Sequence, residues 1–467
     1  HQVYKYTARF VVLLCMLLMY SLSGSPRLQY IVNFFSQELF DQPVRITNNR
    51  DEYIMYGGPK INYSDEELMR DDFFIAPVSL LFERGIRPQK IECFDLNSSK
   101  AFFETTGALG FDIFAASFYL LSRYEEYLPH EKDAYGRFSH TAALAFREGF
   151  LMQPVINFWL TDFKQALHER FPLLRFKGNE FANLITYDID IAYSYLCKGW
   201  LRNIGGTLRS LLRGRWREIV ERWQVLAGVK KDPFDCYEWL DALQLYCRLK
   251  PYFFFLVARK TSQYEKNVAT SSKKFRELVE YYAGAYHAGI HPSWQSGDDH
   301  SLLKEELEWL EVVADKKIIA SRQHYIRFTL PDTYRRLVDV GIQKDFSMGY
   351  GSINGFRASV ASRFQWYDLA REESTPLYIY PFCFMDANSF YEEKHTPREA
   401  YEELTTLYNS VRKVNGMMIT IWHNSLLGKD SGEWVQMFEL FMKETVYWDA
   451  YCDGGREVEN ETVKVRF

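Results

Sequence analysis

The chain has 467 residues, 47% hydrophobic, 25% charged and 17% aromatic, a composition that excludes disorder, collagen-like repeats and Gly/Ser linker proteins. That length is about three modal domains, enough for one large α/β unit with an extension. A formal charge of −5 from 61 acidic and 56 basic side chains argues against a nucleic-acid-binding protein.

The amino end reads FVVLLCMLLMY over Phe10–Tyr20, after Lys5 and Arg9 and before Ser21-Leu22-Ser23-Gly24. Two readings stand. Phe10–Gly24 is the apolar segment of a signal sequence, and the protein is exported; or the start is over-extended, and Met16 to Tyr20 form the first buried strand. The seven cysteines are scattered and contain no Cys-x-x-Cys pair, which favours the second reading and a cytoplasmic setting. No run reaches the roughly 18 apolar residues of a membrane span.

Residues 16–178 read as a small α/β domain of unknown role. Leu28, Ile31, Val32, Phe35 and Leu39 recur with a helical period. DEYIMYG and FFIAP read as short strands, and FDIFAASFYLLSRYEEYL reads as a buried helix. No catalytic motif stands out here.

Residues 179–452 differ. Short apolar runs, Asn183–Tyr187, Pro251–Val257, Lys317–Ser321, Leu377–Phe384 and Met417–Trp422, alternate with helical segments such as SLLKEELEWLEVVA and PREAYEELTTLYNSVRKV. The fold class is therefore α/β, a distorted (β/α) barrel whose chemistry gathers at the strand carboxyl ends. Those ends hold Asp188 and Asp190, Arg322 and His324, Asp386, and His423. One insertion, 198–231, carries nine basic side chains against Glu218 and Glu221, with Trp200, Trp216 and Trp223 interleaved. It reads either as a contact for a membrane surface or anionic polymer, or as a solvated helical insert with its tryptophans docked on the barrel.

Two of the ten histidines, His287 and His291, are four residues apart, a spacing that would put both on one helical face as a metal-binding pair. Asp188, Asp190, Arg322, Tyr325 and His423 complete an ordered set able to supply a metal ligand, a base, an orienting cation and an acid.

With these residues the chain resembles the polysaccharide deacetylase superfamily (carbohydrate esterase family 4). Thr186-Tyr187-Asp188-Ile189-Asp190 is similar to its first motif, His287-x-x-x-His291-Pro292 to its second, Arg322-Gln323-His324-Tyr325 to its third, and Ile419-Thr420-Ile421-Trp422-His423 to its fifth. Asp345 sits where the fourth is expected. The resemblance spans about 181–450. It implies a metal-dependent hydrolase that removes N-acetyl groups from a sugar, glycan or glycolipid, with a divalent metal, zinc first among them, held by Asp190, His287 and His291. It further implies Asp188 as base, His423 as acid, Arg322 as the holder of Asp188, and the Tyr325 backbone amide as oxyanion support. In a second register His291 is the first motif histidine and Gln295 stands in the place of the second, with His324 or His300 as replacement ligand. The alternative functions are an amidohydrolase acting on a non-sugar amide, and a silent glycan-binding or scaffolding protein.

Overall fold

A computed structural model describes residues 16–452 apart from 71, 98, 260–261 and 429–431. In chain order the first part runs β1 (Leu18–Ser21), α1 (Pro26–Leu39), β2 (Arg45–Thr47), α2 (Arg50–Met55), β3 (Lys60–Tyr63), β4 (Phe73–Phe74), β5 (Phe94–Leu96), β6 (Ser99–Ala101), α3 (Ile113–Leu121), α4 (Leu144–Arg147) and α5 (Val155–Arg170). Strands β1 to β4 form a parallel sheet in the order β2-β1-β3-β4. Leu17 to Tyr20 are buried in it, so this stretch is a strand; residues 1–15 lie outside the described ones. Helix α1 starts where Ser25 Oγ accepts from the Leu28 amide with Pro26 at its first position, a pairing of cap and pre-set φ. The DEYIMYG segment is a helix and not the strand its composition suggests. Asn49 Oδ1 caps the amides of Asp51 and Glu52, whose own carboxylates suit the positive end of a helix.

The second part runs β7 (Ala182–Ile189), α6 (Gly199–Leu212), α7 (Trp216–Leu226), α8 (Tyr237–Cys247), β8 (Tyr252–Leu256), α9 (Lys273–Ala285), β9 (His287–His291), α10 (His300–Ala314), β10 (Ala320–Ser321), α11 (Asp332–Asp339), β11 (Lys344–Asp345), β12 (Phe364–Asp368), β13 (Glu373–Ile379), β14 (Phe384–Met385), α12 (Pro397–Lys413), β15 (Met417–His423) and α13 (Gly432–Cys452). Nine strands form one sheet in the order β12-β13-β11-β10-β9-β8-β7-β15-β14, parallel except where β12 meets β13. Among the described residues this sheet does not close into the expected barrel. One outer strand, β14, is two residues long, and the other, β12, is the first arm of an antiparallel hairpin with β13, so neither offers a partner ladder to the other.

Strand β7 sits inside the sheet, paired in parallel with β15 and β8, so that Asp188 lies opposite His423 on one side and Phe254 on the other. One continuous core runs from Leu17 to Met442 through both parts. Tyr30 packs on Tyr367 at 4.9 Å and donates to the Gln365 carbonyl at 2.7 Å. Buried Glu126 accepts from Arg123 Nε at 2.7 Å and from Arg357 Nη2 at 2.6 Å, tying the first part to the second.

Candidate functional site

The carboxyl ends of β7, β9, β10, β14 and β15 bring Asp188, Asp190, His291, His324, Asp386 and His423 together. A cavity of about 480 Å³, within the usual range for small-molecule sites, opens onto them.

Arg322 follows β10 and is fully buried. Its Nη1 donates to Asp188 Oδ1 at 2.8 Å and to Thr186 Oγ1 at 2.7 Å, and its Nε donates to the Phe346 carbonyl at 3.1 Å. The guanidinium also lies 4.4 Å over the Phe254 ring. Burial pulls its pKa below the ordinary arginine value, and Asp188 and Asp345 pull the other way. With Oδ1 engaged, Asp188 keeps Oδ2 on the cavity side, 3.9 Å from His291 Nε2.

The tautomer of His291 follows from its partner. Nδ1 lies 2.5 Å from the Arg322 carbonyl oxygen, an obligate acceptor, so Nδ1 carries the hydrogen. In the neutral ring Nε2 is then a bare lone pair, and it faces Asp190 Oδ1 at 3.0 Å. That buried Asp190 oxygen has no hydrogen-bond donor, and neither does His324 Nδ1. The contact is satisfied either by a proton on Nε2, which Asp188 and Asp190 favour, or by a cation between the two atoms. Asp190, His291 and His324 offer three ligand atoms within 4.8 Å of one another, one carboxylate and two imidazoles, a donor set that fits a divalent metal such as zinc. Burial alone would raise the Asp190 carboxyl, but His324 and His291 hold it well below the usual range.

His423 ends β15, and Asp386, just beyond β14, clamps it twice. Asp386 Oδ1 accepts from Nδ1 at 2.6 Å, and Oδ2 accepts from the backbone amide at 2.7 Å. The free Nε2 lies 3.7 Å from Asp190 Oδ2. Burial opposes the charged ring, but Asp386 and then Asp190 and Asp188 outweigh it and raise the imidazole to about 10.

His287 is not in this group. The segment His287–His291 is a strand, in which residues four apart are separated by about 13 Å, and not the helix that would bring them together. The strand brings Gly289 against the Phe254 ring, where a Cβ would collide, so its pairing with β8 accepts only glycine there. His287 stands exposed at the amino end of β9, stacked on Tyr252 at 4.6 Å. Gln295 and His300 lie on an exposed loop and at the start of α10, also outside the cluster. Asp345 is buried behind the site, bound to the hydroxyls of Ser321 and Ser347.

Tyr325 lines the cavity on a backbone of φ 59, followed by the β-branched Ile326 at φ 55, two left-handed residues in succession and a point of strain. Its carbonyl accepts from Arg137 Nη1 at 2.6 Å. Arg137 and Tyr135 belong to the first part of the chain, yet both line the cavity. Tyr135 stacks on Tyr325 at 5.4 Å, and Tyr264 stacks on Trp294 at 3.9 Å, edge-on to Tyr325. Among the described residues no hydrogen bond engages the hydroxyls of Tyr135, Tyr264 and Tyr325 or the Trp294 indole N–H. Nothing in their local sequence marks Tyr135, Arg137, Tyr264 or Trp294; they meet the site only through tertiary contacts. Asp386 carried a signal, an acid directly after an apolar run.

Residues 17–172 match a family of unknown function, DUF7033. No curated protein matches the chain. Among solved structures the chain is similar to one described as a polysaccharide deacetylase from Mycobacterium smegmatis, at 16% identity and a TM-score of 0.39, covering 58% of this chain and 86% of that one. The polysaccharide deacetylase Bc1974 from Bacillus cereus is similar at 11% identity and a TM-score of 0.28, over 57% of this chain and 89% of that one. A third, described as a polysaccharide deacetylase from Pseudomonas aeruginosa PAO1, has 11% identity and a TM-score of 0.39, over 58% and 86%. Likenesses this distant carry no chemistry, so function rests on the side chains of the site.

Proposed function

We propose that the chain is a metal-dependent amide hydrolase that removes N-acetyl groups from a carbohydrate. The observation that carries the reading is the cluster of Asp190, His291 and His324, three ligand atoms within 4.8 Å of one another, flanked by one carboxylate–arginine pair and one imidazole–carboxylate pair.

Asp190, His291 and His324 would hold the metal. When bound, it supplies a Lewis acid that polarises the acetyl carbonyl and lowers the pKa of a water. Asp188 takes the proton of the attacking water at Oδ2, the oxygen its arginine leaves free. Arg322 holds and aims that carboxylate through its hydrogen bond to Oδ1. His423 gives the proton at Nε2 to the departing nitrogen, with Asp386 fixing its tautomer and charge. The Tyr325 amide supports the oxyanion. Tyr135, Tyr264 and Tyr325 line the cavity and supply aromatic surface together with phenol hydroxyls, the combination that a pyranose ring with its axial hydrogens and equatorial hydroxyls requires.

The test joins metal content to acetate release from N-acetylated oligosaccharides. Metal near one equivalent and chelator-sensitive acetate release are expected, with Asp188→Asn abolishing turnover while keeping metal and Asp190→Ala losing both. Equal metal loss in the two variants would contradict the roles. Bound oligosaccharide without metal or turnover, even after reconstitution, would move the chain to a silent glycan-binding protein.

A further inference from the structure

The basic insertion is a pair of helices, α6 and α7, turned inside out. Their inward contacts are polar: Asn203 donates to the Tyr195 and Gly199 carbonyls at 3.1 and 3.0 Å and accepts from Arg222 at 3.3 Å, and Ser210 donates to Glu218 at 2.9 Å. The apolar residues point outward. On α6, Leu201, Ile204, Leu208 and Leu211 recur every three or four residues, all exposed. On α7, Trp216, Val220 and Trp223 do the same. Trp200 is 70% and Trp216 64% exposed, so the tryptophans are not docked on the sheet. A soluble helix hides its apolar stripe, and one that shows it marks an interaction surface.

Charge selects the partner. The segment bears nine basic against two acidic side chains, and Arg209, Arg213 and Arg217 are exposed with no side-chain ion pair or hydrogen bond among the described residues. A second copy seated face to face would set these like charges against each other. We infer that the α6–α7 hairpin is a membrane-surface anchor: its tryptophan and leucine side chains enter the interfacial layer of an anionic phospholipid bilayer, and Arg209, Arg213 and Arg217 meet the headgroups. Among the described residues no helix is long and apolar enough to cross a membrane, so the contact is peripheral.

The hairpin is rooted at the cavity rim. Arg202 donates to the carbonyls of Lys266 and Asn267, each at 3.4 Å, and Lys266 lines the cavity. A docked hairpin would therefore hold the cavity rim close to the bilayer. On the deacetylase reading, on which this last step rests, the substrate is an N-acetylated sugar carried on a lipid.

Flotation of the full chain with phosphatidylcholine vesicles, with and without phosphatidylglycerol, tests the anchor without reference to turnover. Binding to the phosphatidylglycerol vesicles is expected, with loss in high salt. The variant Arg209→Glu/Arg213→Glu/Arg217→Glu is expected to weaken it by at least about a hundredfold, and Trp200→Ala/Trp216→Ala/Trp223→Ala by about tenfold or more. Either variant suffices if the other fails to fold. No vesicle binding, equal binding to both lipids, or indifference to both variants overturns the anchor. A dimer abolished by the tryptophan substitutions, without vesicle binding, would show that the surface pairs copies instead. Acetate release from an N-acetylglucosaminyl lipid in vesicles, measured beside release from a soluble oligosaccharide, separates the two claims. Loss in the arginine variant for the lipid alone supports the lipid-carried substrate; loss for neither refutes it; and turnover of neither substrate by the wild type refutes the deacetylase reading while leaving the anchor standing.

Discussion

Arg322 and Asp188 form a buried charge pair whose coupling can be measured without any substrate. Arg322→Met keeps the length of the side chain but removes three hydrogen bonds, to Asp188, Thr186 and Phe346, and leaves the Asp188 carboxylate, 2% exposed, without its cation. Breaking a buried pair from one side costs about 3–5 kcal/mol, a large part of the 5–15 kcal/mol that holds an ordinary protein folded. Asp188→Asn retains an oxygen for the guanidinium but leaves the fully buried cation without its counter-charge, so its cost lies at or below the lower end of that range, about 2–3 kcal/mol. In the double variant neither charge is stranded, and the loss is expected to fall short of the sum of the two single losses by about 2–3 kcal/mol. Urea unfolding of the four chelator-treated proteins measures the cycle. Additivity within about 0.5 kcal/mol would refute the claim that Arg322 exists to satisfy and aim Asp188.

The ligand assignment separates histidines that the sequence treats alike: His291→Ala and His324→Ala are expected to lose bound metal in elemental analysis, while His287→Ala keeps it. Tyr135→Ala and Tyr264→Ala are expected to weaken binding of an N-acetylated oligosaccharide by about threefold to tenfold in calorimetry, with Tyr135→Phe near the wild type. Glu126 is buried, which favours its neutral form, but Arg357 and Arg123 hold its carboxyl down at about 2, below its ordinary 4.5. Its contribution to stability is therefore complete above about pH 4.5 and is lost as the pH falls through about 2. It amounts to about 3 kcal/mol, and denaturation of wild type and Glu126→Gln across that range should show the two curves converging at the acid end.

What the sequence disclosed follows from how local each signal is. The run Asn183–Tyr187 before Asp188 reads as a strand because an uninterrupted apolar stretch of that length is buried on both faces, and it is the inner strand β7. The His287–His291 spacing misled, since a four-residue interval suits one helical face and also one face of a strand; the parallel pairing of β9 with β8 and β10, a tertiary contact, decides between them. His324 was legible only as a substitute, because its ring reaches Asp190 through a turn with two left-handed residues that no propensity favours.

The least legible part is the wall contributed from the front of the chain. Arg137 lies 188 residues before the carbonyl it holds, and its reach depends on Gly351, where a Cβ would occupy the place of the guanidinium. Arg123, Glu126 and Arg357 fix the same junction beneath it, and His140 bonds Ser352 at 2.9 Å. These are polar ties between distant segments, and neither hydrophobic periodicity nor motif spacing encodes which of many arginines meets which carbonyl. Their arrangement makes the first part of the chain a wall of the cavity and not a separate appendage. A Gly351→Ala substitution should accordingly impair oligosaccharide binding while leaving the Asp190, His291 and His324 metal cluster intact. Retained sugar affinity in that variant would mean that the Arg137 contact holds the two parts together without shaping the site.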